Sequence, residues 1–316
     1  MTASDPKIVI AFREAILTDK AERVRLRVAN LAKDMRLAQL QTLVPTLGEV
    51  MQNDKDPAVR LAALEAVMKA GDKGKTIINI VVALFKDSDT AIRANSAELI
   101  GRIGPEAKAA IPGLILLLKD SEASVRLAAT FSLGRVGSDG LLAINELCQL
   151  LGNDSDIPVR KEAARAFALL GSPAKAAIPV LGKAIREDKS EEVRQAALIA
   201  LGKFGADVKL VVADVLEVMK NDKDKNVRAY AVHTLGNSLG GGLKDYVKEL
   251  ATQLSKDPEG EVRLAIVQEL GALGPDAKDA LPQLGVASSD VQLAVRDAAK
   301  AAVKRINAKP EEPKKN

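Results

Sequence analysis

The chain of 316 residues has no tryptophan, two tyrosines and five phenylalanines, so its core is built from Ala, Val, Ile and Leu rather than from aromatic rings. It has one cysteine, Cys148, which excludes a disulfide within the chain, and one histidine, His233, which excludes a metal centre made of clustered imidazoles. Cys148 lies in the apolar run Leu147-Cys148-Gln149-Leu150-Leu151, in the phase of inward-facing residues and with no histidine near it in sequence. That pattern reads as a small core residue, not a nucleophile. No apolar run is long enough to cross a bilayer, and Met1–Pro6 does not read as a secretory signal, so the sequence favours the cytoplasm. A large charge of one sign is missing too: 46 basic residues stand against 42 acidic ones, a net +4, which is too balanced for a field that seeks polyanions. No cofactor and no metal are implied.

What the chain has in abundance is repetition. Taking Arg as position 0, the series Arg25, Arg60, Arg93, Arg126, Arg160, Arg194, Arg228, Arg263 and Arg296 runs through the sequence at intervals of 33 to 35 residues. Position −1 is always Val or Ile, and position −6 is always Asp, namely Asp19, Asp54, Asp87, Asp120, Asp154, Asp188, Asp222, Asp257 and Asp290. A fixed period of this length indicates a solenoid, in which each unit buries its apolar face against its neighbours. Such an array grows along one axis, so 316 residues form one domain instead of splitting in two.

Each unit reads as two helices, A and then B, with the Arg near the start of B. Glycines at +11 (Gly71, Gly104, Gly137, Gly171, Gly205, Gly274) supply the left-handed C-cap that closes a B helix. Glycines at +8 (Gly101, Gly134, Gly202, Gly236, Gly271) lie inside the helix, where each costs about 1 kcal/mol relative to Ala, an expense that close approach of a neighbouring helix would offset. Pro45, Pro112 and Pro179 fall near the start of helix A. Asp56, Asp89, Asp156, Ser190 and Asp224 at −4 are the expected N-caps of B helices. They account for Asp54-Lys55-Asp56 and Asp222-Lys223-Asp224 better than a calcium loop does, since an EF-hand's Gly and terminal Glu are missing. The solenoid is expected over residues 1–306, with an N-terminal cap at 1–36, a C-terminal cap at 277–306 and a disordered tail at 307–316. Gly240-Gly241-Gly242 is the candidate hinge.

These motifs, with Leu-Gly at +7 and +8 and the linker Gly104-Pro105-Glu106-Ala107-Lys108-Ala109-Ala110-Ile111-Pro112 echoed by Pro275–Pro282, resemble HEAT-repeat proteins, in particular bacterial ones with short repeats of the phycobilin-lyase type. The period equals that of TPR repeats, but TPR calls for Trp and paired aromatics and ankyrin for Thr-Pro-Leu-His. The resemblance implies an all-α fold: a right-handed α-solenoid (α–α superhelix) of about nine two-helix repeats. It also implies that the recurrent Asp and Arg bridge successive repeats as a ladder: Asp54, Arg60, Asp87, Arg93, Asp120, Arg126, Asp154, Arg160, Asp188, Arg194, Asp222, Arg228, Asp257 and Arg263. The alternative use of these arginines, holding phosphate, is countered by the Asp that accompanies each of them. Nine stacked layers would give an elongated monomer roughly 80–100 Å long.

Proteins of this class include enzymes. Deoxyhypusine hydroxylase has a similar architecture but needs several His-Glu pairs to hold two irons, and one histidine cannot supply them. A phycobilin-lyase-like accessory enzyme is kept as the enzymatic alternative on resemblance alone. The helical-repeat DNA glycosylases use aromatic and basic residues, which makes nucleic acid an improbable partner for this composition. The reading the resemblance favours is a non-enzymatic scaffold that binds a protein or peptide on its concave face. B helices line that face in the family, and positions +2, +5 and +9 vary freely, so the candidate binding residues are Glu98, Arg102, Phe131, Arg135, Arg165, Ile199, Lys203, Tyr230 and His233. Apolar bodies flanked by arginine are typical of interface centres.

Overall fold

The computed structural model describes residues 6–71 and 76–308. Its described residues hold eighteen α-helices in nine A–B pairs and no strand, an all-α solenoid. Compactness groups the chain into two units, Met1–Leu170 and Gly171–Asn316, which divide between the fifth and sixth pairs.

In unit 1 the pairs are α1 (Pro6–Thr18) with α2 (Glu22–Ala32), α3 (Leu37–Asn53) with α4 (Pro57–Lys69), α5 (Ile78–Ala83) with α6 (Thr90–Ile103), α7 (Ile111–Leu117) with α8 (Ala123–Leu133), and α9 (Ile144–Asn153) with α10 (Ile157–Leu170). The B helices α2, α4, α6, α8 and α10 pack in succession, and α1, α3 and α5 form part of a second layer behind them. The core between layers is aliphatic: Val59, Ile92, Val125 and Val159 at −1 are wholly buried, as are Ala63, Ala129 and Ala163 at +3.

Unit 2 repeats the scheme with α11 (Ile178–Glu187) and α12 (Glu191–Leu201), α13 (Val212–Asn221) and α14 (Lys225–Leu239), α15 (Val247–Lys256) and α16 (Gly260–Leu273), and α17 (Leu281–Ala287) and α18 (Leu293–Ile306). Again B packs on B, α12 through α14 and α16 to α18. In the last pair Asp297, Lys300 and Lys304 are exposed, so one long side of α18 stays polar.

All six +11 glycines take positive φ, between 56° and 81°, where a Cβ would collide with the backbone. Behind most of them the chain makes a short 3-10 turn, such as Gly104–Ala110 or Gly274–Ala280, that leads into the next A helix. Gly240 does the same with φ 50°, and Gly240–Tyr246 is a 3-10 turn like the others, so the glycine triplet carries an ordinary cap one residue late. The +8 glycines give room to the adjacent repeat. A Cβ on Gly101 would sit 2.8 Å from the Phe131 ring, one on Gly134 3.0 Å from Ala166 Cα, and one on Gly271 3.0 Å from Ala302 Cβ. At Gly202 the nearest atoms belong to its own helix, so the close-approach argument does not extend to it.

Four expectations are corrected. Position +2 is not outward in most repeats: Ala62, Ala128, Glu162, Ala196 and Ala265 are buried there, whereas Arg27 and Tyr230 are exposed. Ser190 makes no capping bond, whereas Asp56, Asp89, Asp156 and Asp224 accept from backbone amides of the first turn. Pro45 lies deep within α3, a helix long enough to replace the 3-10 turn of other repeats, while Pro112 and Pro179 are second residues of α7 and α11. Cys148 is half-buried, not a full core residue. Residues 309–316 of the expected tail lie outside the described residues.

Candidate functional site: the outward face of the B helices

Two sets of side chains recur along each unit, and they differ in what they leave available. The first is the ladder. In unit 1 Arg25, Arg60, Arg93 and Arg126 grip Asp54, Asp87, Asp120 and Asp154 of the following repeat. Nε donates to one carboxylate oxygen at 2.6–2.9 Å and Nη2 to the other at 2.8–3.1 Å. In unit 2 Arg194, Arg228 and Arg263 hold Asp222, Asp257 and Asp290 in the same way. Nη1 meanwhile donates to the backbone carbonyl of the Asp in its own repeat, for example Arg126 to Asp120 at 2.9 Å. Each Asp also accepts the amide two residues on, as Asp154 does from Asp156 at 2.9 Å. Arg160 donates to the Asp154 carbonyl and Asp188 accepts the Ser190 amide, and neither side chain lacks a further partner.

One planar fork thus ties two repeats and one loop together. Burial alone would raise the Asp257 carboxyl, but bonds from Arg228, the Glu259 amide and Gln253 outweigh it and hold it below the usual carboxylate value. Asp154 is depressed by the same balance, with burial opposed by Arg126 and the Asp156 amide. Nε, Nη1 and Nη2 of these forks are each directed at protein acceptors, so the ladder is committed first to joining repeats. Two open clefts, of about 470 and 430 Å³, flank the rungs Arg228–Asp257 and Arg25–Asp54, and half of the charged groups lining them are the recurrent Asp and Arg.

The second set is at +5 and +9, the outward positions of the B helices. In unit 1 these carry Glu98 and Arg102 on α6, Phe131 and Arg135 on α8, and Arg165 and Leu169 on α10. Arg102 pairs with Glu98 at 2.7 Å along its own helix. Arg135 lies over the Phe131 ring, its guanidinium carbon 3.6 Å from the centroid, a cation–π contact. Glu162, buried at +2, has Arg135 at 3.5 Å from one oxygen and Arg165 at 3.5 Å from the other. Of the nine candidates, the structure therefore joins Phe131, Arg135 and Arg165 into one cluster and sets the Glu98–Arg102 pair on the preceding helix.

In unit 2 the same positions hold Ile199 and Lys203 on α12 and Tyr230 (at +2) and His233 on α14. Ile199 is 44% and Tyr230 39% exposed. His233 Nδ1 lies 3.0 Å from Glu269 Oε1 on α16, and the Glu269 carboxylate rests over Gly236. Lys203 is exposed one turn beyond Ile199.

Glu162 and Glu269 escaped the sequence reading, yet each had a signal. Glu162 is a charge at +2, where Ala62, Ala128, Ala196 and Ala265 stand in other repeats. Glu269 occupies +6, where other repeats have Ala66, Ser132, Ala166, Ala200 or Thr234.

Among the described residues no three His, Cys, Asp or Glu side chains group as a metal site requires. Burial pushes the Cys148 thiol up to about 11, so little of it is thiolate near neutral pH. No described helix is long and apolar enough to cross a membrane.

Stacked two-helix layers joined by a conserved spacing of Asp and Arg define an α-solenoid. The chain belongs to the HEAT-repeat family, whose model of HEAT repeats matches residues 77–144, 144–236 and 212–304. Folds of this family are typical of protein-interaction scaffolds and are typically non-enzymatic. Comparison with curated proteins returns no significant match. Among solved structures the chain is similar to Kap121p bound to Nup53p, with 14% identity and a TM-score of 0.59 over 96% of this chain and 38% of that one. It is similar to Kap121p bound to Pho4p at 14% identity and a TM-score of 0.59, over 96% of this chain and 38% of that one. Kap95p in complex with RanGDP gives 16% identity and a TM-score of 0.59, over 96% of this chain and 47% of that one. The likeness is one of fold, and the chain spans less than half the length of these proteins.

Proposed function

We propose that this protein is a non-enzymatic scaffold that binds a protein or peptide on the face formed by its B helices. The observation that supports the reading is the division of labour between the two sets: Nε, Nη1 and Nη2 of the Arg–Asp forks all donate to the protein itself, whereas +5 and +9 expose Ile199, Leu169, Arg135 and Arg165, with Phe131 half-buried beside them. Partly apolar side chains flanked by guanidinium groups supply both desolvation and directional hydrogen bonding, the combination found at interface centres. The solved neighbours include chains bound to Nup53p, Pho4p and RanGDP, which is in keeping with a protein partner for this solenoid too.

The test is affinity capture from the native host with identification by mass spectrometry, comparing the natural chain with Phe131→Ala/Arg165→Ala/Tyr230→Ala. The triple variant is expected to keep its helical circular dichroism and lose the captured partner. Retention of that partner, or its loss only on substitution of A-helix residues such as Leu116, would place the interface elsewhere.

A further inference from the structure

The cluster on α8 and α10 has an uneven charge balance. Two guanidinium groups, Arg135 and Arg165, face one carboxylate, Glu162, each at 3.5 Å and so beyond a close charge-assisted bond of about 2.7–2.9 Å. The two side chains are 40% and 58% exposed while the Glu162 side chain is 11% exposed, so the carboxylate sits beneath and the donors point outward. Arg135 gives one weak bond to the Phe131 carbonyl at 3.3 Å, which leaves most of the donors of both forks unused. Beside them stand two apolar surfaces: the Phe131 ring, stacked under Arg135, and Leu169, 56% exposed.

Within the scaffold reading above, on which this step rests, we infer that this cluster recognises an acidic peptide segment in which a Glu or Asp adjoins an aliphatic residue. The incoming carboxylate would take the outward donors of Arg135 and Arg165, and the aliphatic side chain would cover Leu169 and the edge of Phe131. A nucleic-acid backbone fits less well. Its phosphates follow one another without a break, whereas here Glu162 and, one helix earlier, Glu98 interrupt the basic positions and would repel a continuous anionic track. An isolated carboxylate flanked by apolar groups meets no such penalty.

The probe is a fluorescein-labelled peptide of alternating Glu and Leu, measured by polarisation against the full chain, beside a Gln/Leu peptide of the same length and a single-stranded oligothymidylate. The Glu/Leu peptide is expected to bind at least about tenfold more tightly than the Gln/Leu peptide and to weaken as salt rises from about 50 to about 300 mM. Arg135→Glu/Arg165→Glu should abolish that binding. Since the double reversal adds two carboxylates beside Glu162 and could disturb folding, Glu162→Gln serves as the second variant. It removes the competing internal carboxylate and should tighten binding. Equal affinity for the Gln/Leu peptide, no response to either variant, or tighter binding of the oligothymidylate would overturn the inference. A host partner lost on the triple alanine substitution while the Glu/Leu peptide does not bind would sink the acidic specificity and leave the scaffold reading standing.

Discussion

Units 1 and 2 share one framework and present two different outward faces. Both have the same bidentate rungs, the same positive-φ glycine caps and the same aliphatic −1 position, and Val125 and Val227 are equally buried. On the B face, however, unit 1 sets charge against charge in Lys33–Glu65, Glu98–Arg102 and Arg135–Glu162–Arg165. Unit 2 sets Ile199, Tyr230, Gln268 and Ala272 at the comparable exposed sites, with His233–Glu269 between α14 and α16 and a Lys225–Glu261 pair nearer the starts of those helices. The difference teaches that the repeat's stability is committed at −6, −1, 0, +3, +7 and +11, which leaves +5 and +9 to take any character that recognition requires. Breaking the shared positions should therefore damage both units, and changing the free ones should separate them.

The largest effect is expected from the ladder. Arg228→Ala leaves Asp257, whose side chain is wholly buried, without its fork, and losing one partner of a buried pair costs about 3 kcal/mol or more. Arg93→Ala leaves Asp120 with a side chain 12% exposed, where solvent relieves part of the loss, so about 1–2 kcal/mol is expected. Thermal melts of the two variants would give the order directly. A larger loss for Arg93→Ala would show that burial does not set the strength of a rung.

Next is the response to acid. Asp54, Asp87, Asp120 and Asp154 in unit 1 and Asp257 and Asp290 in unit 2 are all held below the ordinary carboxylate value. A depressed native pKa contributes stability that is present above the unfolded value, about 3.9, and is lost as pH falls through the native one. Urea midpoints should hold steady near neutral pH and fall steeply below about pH 4. Asp257→Asn should be less stable at neutral pH and show a shallower fall in acid. An acid limb as steep as that of the natural chain would remove Asp257 from the account.

A smaller contrast is expected at the +8 glycines. Gly101→Ala drives a Cβ to within 2.8 Å of the Phe131 ring, and repacking there should cost about 1–2 kcal/mol and quench the Phe131–Arg135 contact. Gly202→Ala in unit 2 meets only its own helix backbone at 3.3 Å, with φ −61°, and should change stability by less than about 0.5 kcal/mol. Equal losses would mean that the glycine requirement is conformational at both sites.

The smallest effects belong to the outward residues themselves. Phe131→Ala forfeits a cation–π contact of about 0.5–1 kcal/mol, and Ile199→Ala, already 44% exposed, should be close to neutral. Chemical denaturation of the two single variants decides it, and a large loss for Ile199→Ala would identify that side chain as core.

Much of the fold was legible because its signals are local and repeated. The +11 glycines announced the caps, and the Asp at −6 with Arg at 0 announced the rungs, since both depend on residue type at a fixed backbone position. The sequence misplaced Pro45, because whether a repeat opens with a 3-10 turn or a longer helix depends on linker length, and α3 took the longer course. It also took +2 as outward. In most repeats the packing of one B helix on the next buries that position, and a single helix's periodicity says nothing of its neighbour's placement.

By itself, then, the sequence determined the repeat, its two helices and most of their caps, because each follows from spacing and from the chemistry of single residue types; the ladder came from the family resemblance, which left out Arg25 and Asp290 at its two ends. Only the tertiary structure decided which acid meets which base on the B face. Arg135 and Glu162 lie in different repeats, as do His233 and Glu269, and their pairing depends on how far one helix is shifted along the next. That shift is set by side-chain volume across the whole helix–helix contact, a sum over many residues that no one position in the sequence expresses.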